Sequence, residues 1–154
     1  MAIADAELEA VAPMTDYVTF RIGEQLCGVE AVGVQQVFRL RGLTPVPLAP
    51  PEIAGVMSLR GRIITAVRAR TRLGLPPADE SIAIGLEHDG DGYGLLVDSV
   101  GEVIGLDAAT VGSPPGILPE RWSDAVTGVS EHGGELLLIL DAQKMLAPWT
   151  EGES

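Results

Sequence analysis

Two stretches of this chain repeat one another at nearly fixed offsets, and that self-similarity bounds the fold more tightly than anything else in the sequence. Moving 66 places along sets Gly28-Val29 on Gly94-Leu95, Val34 on Val100, and Val37 on Val103. Moving 73 places sets Gly55-Val56 on Gly128-Val129, Gly61 through Val67 on Gly134 through Leu140, and Leu73 on Leu146. The seven-residue difference falls in a connector that is longer in the second copy. A fixed internal period marks copies of one supersecondary unit. In a chain of 154 residues each copy is too small to bury much alone, so the two should share a hydrophobic seam.

The segments inside each copy read as short strands. Val18, Phe20 and Ile22 alternate with Tyr17, Thr19 and Arg21, the period of a half-buried strand, and Gly23-Glu24 turns the chain into a second one, Gln25 to Val29. Pro45, Pro47, Pro50 and Pro51 make a rigid connector. Ala54 to Leu59 and Arg62 to Val67 then form a hairpin about Arg60-Gly61. A short helix over Ala69 to Leu73 stops at Gly74. The second copy follows suit: Ile82 to Glu87 and Tyr93 to Asp98, a connector with Pro114, Pro115 and Pro119, and a hairpin of Ala125 to Ser130 with Glu135 to Leu140 through Gly133-Gly134. Asp141 N-caps a last helix, Ala142 to Leu146, ended by Pro148. Nearly half the residues are apolar, and 19 Gly and 11 Pro punctuate them, a mixture that suits many short strands and tight turns. Residues 1–15 lack a period and are predicted to be a mobile tail, residues 16–146 the folded part, and 147–154 a second tail. The first barrel-like unit should cover about 16–78 and the second about 79–146, with exchange of strands between them left open.

Charge and chemistry exclude several functions. The net charge is −12, which repels phosphates and argues against a nucleic-acid partner. Residues 1–78 carry +1 and residues 79–154 carry −13, a polarity suited to docking different partners on different ends or to an ordinary solvated surface. Cys27 stands alone, which excludes an internal disulfide and fits a reducing, cytoplasmic setting. The longest strongly apolar run, Leu136 to Leu140, is too short to enter or span a bilayer, so direct membrane insertion is not expected. The two histidines, His88 and His132, sit in Gly-rich turns with no second Cys or HExxH to complete a metal site. Ser58 lies outside any G-x-S-x-G elbow, and the Gly-rich stretch from Gly85 to Gly94 lacks the spacing of a phosphate loop. Asp98 and Glu102 could approach as a carboxylate pair but suit a solvated strand edge better. No catalytic residues, metal ligands or cofactors are predicted; a binding module is.

The copies differ most at one hairpin tip: Ser58-Leu59-Arg60-Gly61 in the first, Glu131-His132-Gly133-Gly134 in the second. An exposed leucine beside an arginine suits a binding anchor; the alternative is that Leu59 tucks into the seam and Arg60 pairs with a local carboxylate. Arg72, by contrast, falls on the expected exposed face of the first helix and should matter little.

Several segments carry a family resemblance. Tyr17-Val18-Thr19-Phe20 through Cys27-Gly28-Val29 and Val34-Gln35-Gln36-Val37, the stretch Ala54 to Gly61, the stretch Tyr93 to Val103, and Leu136 to Leu146 resemble CheW-like domains, in family order. The resemblance implies an all-β fold of two SH3-like five-stranded β-barrels with short helices. It implies a cytoplasmic, non-enzymatic adaptor, clustered at membrane-associated receptor arrays. Its partners would be the cytoplasmic tip of chemoreceptors and the regulatory domain of a CheA-type histidine kinase; the alternative is a regulatory CheW-like domain acting with a histidine kinase in a non-motility pathway. The implied binding residues are Val34, Gly55, Val56, Leu59, Arg60 and Gly61, with Val100 and Val103 as candidates for the other wall of a groove between barrels that takes a receptor helix. One departure stands out. Arg68 takes the place of a usual Asp, whose counterpart here is Asp141, and losing that N-cap should cost about 1 kcal/mol. Thr65 and Ala66 likewise replace a more usual Pro-Val.

Overall fold

The computed structural model describes residues 14–150, the last four as backbone only. Ten strands and three short helices follow one another: β1 (Met14–Ile22), β2 (Gln25–Glu30), β3 (Gln36–Arg39), β4 (Ile53–Leu59), β5 (Arg62–Arg68), α1 (Ala69–Arg72), β6 (Ile82–His88), β7 (Asp91–Val97), β8 (Ser99–Asp107), α2 (Glu120–Ala125), β9 (Val126–His132), β10 (Glu135–Leu140) and α3 (Ala142–Thr150). Single 3-10 turns at Ala31–Gly33 and Ala108–Thr110 follow β2 and β8.

They form two five-stranded sheets, ordered β8-β1-β2-β10-β9 and β3-β6-β7-β5-β4. Neither sheet comes from one copy of the repeat. The hairpin β1–β2 joins the three later strands of the second copy, and β6–β7 joins those of the first. The register keeps the repeat to the residue. Gly28 lies opposite Ile139 in the parallel pair β2–β10, and its equivalent Gly94 lies opposite Ala66 in β7–β5. Val18 faces Val103, and Ile84 faces Val37. A bulge between Ile53 and Gly55 recurs opposite Ile139 and Leu140. Hydrogen bonds do not link the edge strands of either sheet, so each SH3-like unit is an open sheet rather than a closed barrel.

The seam between sheets is the main core. Val18, Phe20, Ile22, Cys27, Val29 and Leu138 meet Val67, Ile84, Leu86, Leu95 and Val97 there, with Trp122, Met145 and Leu146 of the helices closing it. Each sheet keeps a smaller cluster of its own, around Tyr17, Leu106 and Leu137 in the first and Ala66, Ala83 and Leu96 in the second. β1 is therefore buried on both faces rather than half-buried: Tyr17 and Thr19 are inside too, and the Thr19 hydroxyl donates to the Glu102 carbonyl at 2.5 Å. Burial with desolvation pushes the Cys27 thiol up to about 12, so it is a small apolar core residue rather than a reactive group.

Several expectations change. β1 begins at Met14, inside the stretch expected to be a tail, because Met14, Thr15 and Asp16 pair with Asp107, Leu106 and Gly105; residues 1–13 lie outside the described residues. α3 continues through Pro148 to Thr150 instead of stopping. Proline has no N–H for the carbonyl four residues back, and that carbonyl, of Lys144, accepts instead from Arg72 Nη2 at 3.1 Å. Arg72 is accordingly buried, not on an exposed face, and desolvation lowers its pKa. The strand β3 and the helix α2, which buries Trp122 and Ala125, have no counterpart in the strand-and-turn pattern.

The two helix starts bear out the Arg68 departure in an unexpected way. Asp141 Oδ1 accepts from the N–H groups of Gln143 at 2.8 Å and Lys144 at 3.1 Å, an ordinary N-cap. Arg68 makes no side-chain cap; the Glu80 carboxylate, arriving from the linker to the second copy, accepts from the Arg70 N–H at 3.3 Å. Glu80 is buried, and desolvation raises its pKa. Arg70 ties the same linker down by donating to the Pro76 carbonyl at 3.0 Å.

Candidate docking surface

The β4–β5 hairpin turns on Arg60 and Gly61, both with positive φ (55° and 80°), a two-residue turn whose twist matches that of its strands. Gly61 fits that backbone freely; an L-residue such as Arg60 takes it at a cost of about 1 kcal/mol. The sister hairpin puts Gly133 (φ 61°) at the equivalent place and Gly134 (φ 82°) after it. The strained position is thus filled by a long cationic side chain in one copy only. Arg60 is exposed and has no hydrogen-bond or ion-pair partner among the described residues, so it does not neutralise a local carboxylate. Leu59 is half-buried and Val56 likewise, so Leu59 does not vanish into the seam.

Gly55 has a different job. Its φ is 146°, and a Cβ there would lie 2.5 Å from the Thr44 carbonyl oxygen. β4 closes onto Thr44 through the bridge Thr44–Val56, so Gly55 is required by packing and offers no side chain to a partner.

One network joins two of the expected segments. The Gln35 amide donates to Glu87 Oε1 at 3.0 Å, and Arg62 Nη2 donates to Glu87 Oε2 at 2.8 Å and to the Gly90 carbonyl at 2.6 Å. Val34, which packs on the edge of the main core, and the Leu59–Gly61 tip therefore belong to the same end of the second sheet. The Gln143 side chain, at the start of α3, bonds the Glu87 carbonyl at 3.1 Å and the His88 ring. Next to it lies a cavity of about 220 Å³ whose walls include Glu30, Val32, Ile139, Ala142 and Gln143, with Val32 almost wholly exposed.

Val100 and Val103 stand on the other sheet. They are the repeat equivalents of Val34 and Val37, on β8 opposite Phe20 and Val18. Val100 lines a cleft of about 410 Å³ with Arg21, Glu102, His132 and Glu135, and Val103 is 58% exposed on the strand edge. Asp98 and Glu102 do not pair. Asp98 is clamped by Arg70 at 2.7 Å and by the Gly23 N–H at 3.1 Å, which holds its carboxyl below the usual range; Glu102 faces His132 at 3.6 Å. No group of His, Cys, Asp and Glu among the described residues could hold a metal, and none of their helices is long and apolar enough to cross a membrane.

Sequence reasoning missed Gln35, Arg62 and Glu87. The signal was there in the repeat: Arg21 and Glu135 are the equivalents of Glu87 and Arg62, with the charges exchanged, and the first pair bonds at 2.7 and 2.9 Å.

The chain is thus two duplicated SH3-like sheets fused by exchanged hairpins, with an exposed arginine at a strained tip. The CheW-like domain model matches residues 16–148. The chain belongs to that family. It is similar to the chemotaxis protein CheW of Treponema pallidum, 27% identical with 96% of this chain and 86% of the relative covered, and to that of Thermotoga maritima, 27% identical with 90% and 91% covered. Among solved structures it resembles the scaffolding protein TtCheW from Thermoanaerobacter tengcongensis, with a TM-score of 0.74, 28% identity, and 83% and 89% of the two chains covered.

Proposed function

We propose that this chain is a non-enzymatic adaptor that couples chemoreceptors to a CheA-type histidine kinase in chemosensory signalling. It would work in the cytoplasm at receptor arrays. The Leu59-Arg60-Gly61 tip and the adjacent Val34 lead-in form its docking surface. The observation that carries this reading is Arg60: exposed, without a partner among the described residues, and held at positive φ where the sister hairpin has glycine. A cost of this kind, kept at one copy of a duplicated turn, is explained by a partner that uses the side chain. Leu59 and Val56 supply apolar contact beside it, and the cavity at the start of α3 continues the surface. A helical partner would set apolar side chains along that surface and a carboxylate on Arg60. The module acts by geometry: it holds two proteins in register and changes neither covalently.

The test is titration of the full chain, and of Arg60→Ala, with two fragments encoded in the same genome: a receptor cytoplasmic tip and the regulatory domain of a CheA-type kinase. Loss of a central arginine contact should weaken binding of at least one fragment roughly thirtyfold, about 2 kcal/mol, with the melting temperature unchanged. Unaltered binding of both fragments would sink this assignment of the site. The purified protein should act stoichiometrically on the kinase and show no calorimetric ATP binding.

A further inference from the structure

We propose that Glu87 is the positioning residue of this docking surface: one carboxylate fixes the Arg60 tip against the Val34 lead-in. The inference rests on the reading of the tip given above. Glu87 sits at the end of β6, and each of its side-chain oxygens takes a different segment. Oε1 accepts from Gln35, next to Val34, at 3.0 Å, and Oε2 accepts from Arg62, two residues past Arg60, at 2.8 Å. Arg62 adds a bond to the Gly90 carbonyl at 2.6 Å. The tip hairpin is thereby tied to the neighbouring β6–β7 hairpin and to the chain entering β3.

Stability does not account for this arrangement. Arg62 and Glu87 are each 42% exposed, and ion pairs so open to solvent contribute little. The sister pair shows what the same positions do when nothing needs positioning. With the charges exchanged, Arg21 donates to the carbonyl of Glu24, three residues along in its own turn, at 3.0 Å. It also takes both oxygens of Glu135, so that carboxylate serves one partner. In the second sheet the arginine stands on the tip hairpin and reaches out of it, and the carboxylate keeps one oxygen for Gln35. The inversion changes a carboxylate with one partner, reached across from β1 to β10, into a three-way brace. It also neutralises Arg62, so that Arg60 is the uncompensated cation of the tip.

The experiment is a double-mutant cycle between Glu87 and Arg60 in the full chain, titrated with the same two fragments and melted in parallel. Glu87→Ala should weaken binding about fivefold without lowering the melting temperature, and should add nothing in the Arg60→Ala background, because it acts through that side chain. Glu87→Gln keeps acceptor capacity for one arm and should bind more tightly than Glu87→Ala, which covers the case in which the alanine variant folds poorly. The pair Arg21→Ala with Glu135→Ala removes an equally exposed ion pair and should leave binding unchanged. If Arg60→Ala weakens binding and Glu87→Ala does not, the brace is ornamental and the docking site stands. If their effects add, Glu87 touches the partner itself and is no positioning residue. If neither matters, the docking site and the brace both fall.

Discussion

The two copies of the repeat share strand register, a bulge and a turn geometry, yet they treat equivalent positions in opposite ways. The first hairpin accepts a strained arginine at its tip and an arginine before its helix; the second has glycine and aspartate there. At the tip nothing among the described residues compensates the arginine. At the helix start Glu80 compensates it from another segment. The contrast teaches that a duplicated fold can give up local stability in one copy for two reasons, and that the presence or absence of an internal replacement tells them apart. A site whose loss is repaired internally concerns the fold; one left unrepaired points outward.

The largest expected effect tests the shared framework. Gly55→Ala forces a positive-φ alanine against the Thr44 carbonyl oxygen and should destabilise by about 3 kcal/mol. Its equivalent, Gly128→Ala, meets the Val111 side chain first, at 2.8 Å, without positive φ. It should cost about 1 kcal/mol, since a side chain yields where a backbone carbonyl does not. Equal denaturant midpoints for the two would break the distinction.

Next comes the tip itself. Arg60→Gly gives the first hairpin the glycine of the second, and its stability should stay within about 1 kcal/mol of the parent as relief of strain offsets added chain freedom. Its binding should fall as far as that of Arg60→Ala. A clear loss of stability would mean that Arg60 supports the fold.

The helix starts give smaller effects. Asp141→Ala should cost about 1 kcal/mol in chemical denaturation, whereas Arg68→Ala removes no cap and should cost less. Glu80 adds a pH signature. Its folded pKa is raised, so its contribution to stability is full below its unfolded pKa and is lost as pH rises through the folded value. Parent and Glu80→Gln should therefore melt most alike near pH 4, with the variant gaining on the parent as pH rises toward about 8. A gap that opens toward acid instead would contradict buried desolvation as the cause. The smallest effect belongs to Arg41→Ala, exposed in the first connector, which should alter neither melt nor binding and replaces buried Arg72 as the control.

Much of this was legible in the sequence because the repeat exposes it. Offsets located matching strands and turns, and the divergence of the two tips singled out Arg60. Offsets could not say which matched strands pair, since β1–β2 has the same spacing whether it joins its own copy or the other. β3, four residues long with Gln36 and Arg39 among them, carries little strand signal, and α2 hides behind Pro114, Pro115 and Pro119. Arg72 was misread because a four-residue helix has no clear face, and its burial follows from a carbonyl that Pro148 leaves without a donor. The repeat hints at Glu87 with Arg62 through Arg21 and Glu135, but its second bond, to Gln35, comes from a segment that only the fold brings near.

The exchange of hairpins also sets the order in which this protein can be made. Gln25 on β2 bonds the Leu136 carbonyl on β10, 111 residues later. At ribosomal speeds the β1–β2 hairpin waits roughly 5–20 s for that strand to emerge, its apolar side chains without their sheet. The sheet β3-β6-β7-β5-β4 has all its strands once Val97 is out, whereas the sheet that holds β1–β2 draws on both ends of the folded part and closes only when β10 emerges. A premature stop before β10 removes Leu138, Leu140, Met145 and Leu146 from the shared core. Folding dominated by such distant pairings is slow, and its success is decided at the last hairpin and not along the way.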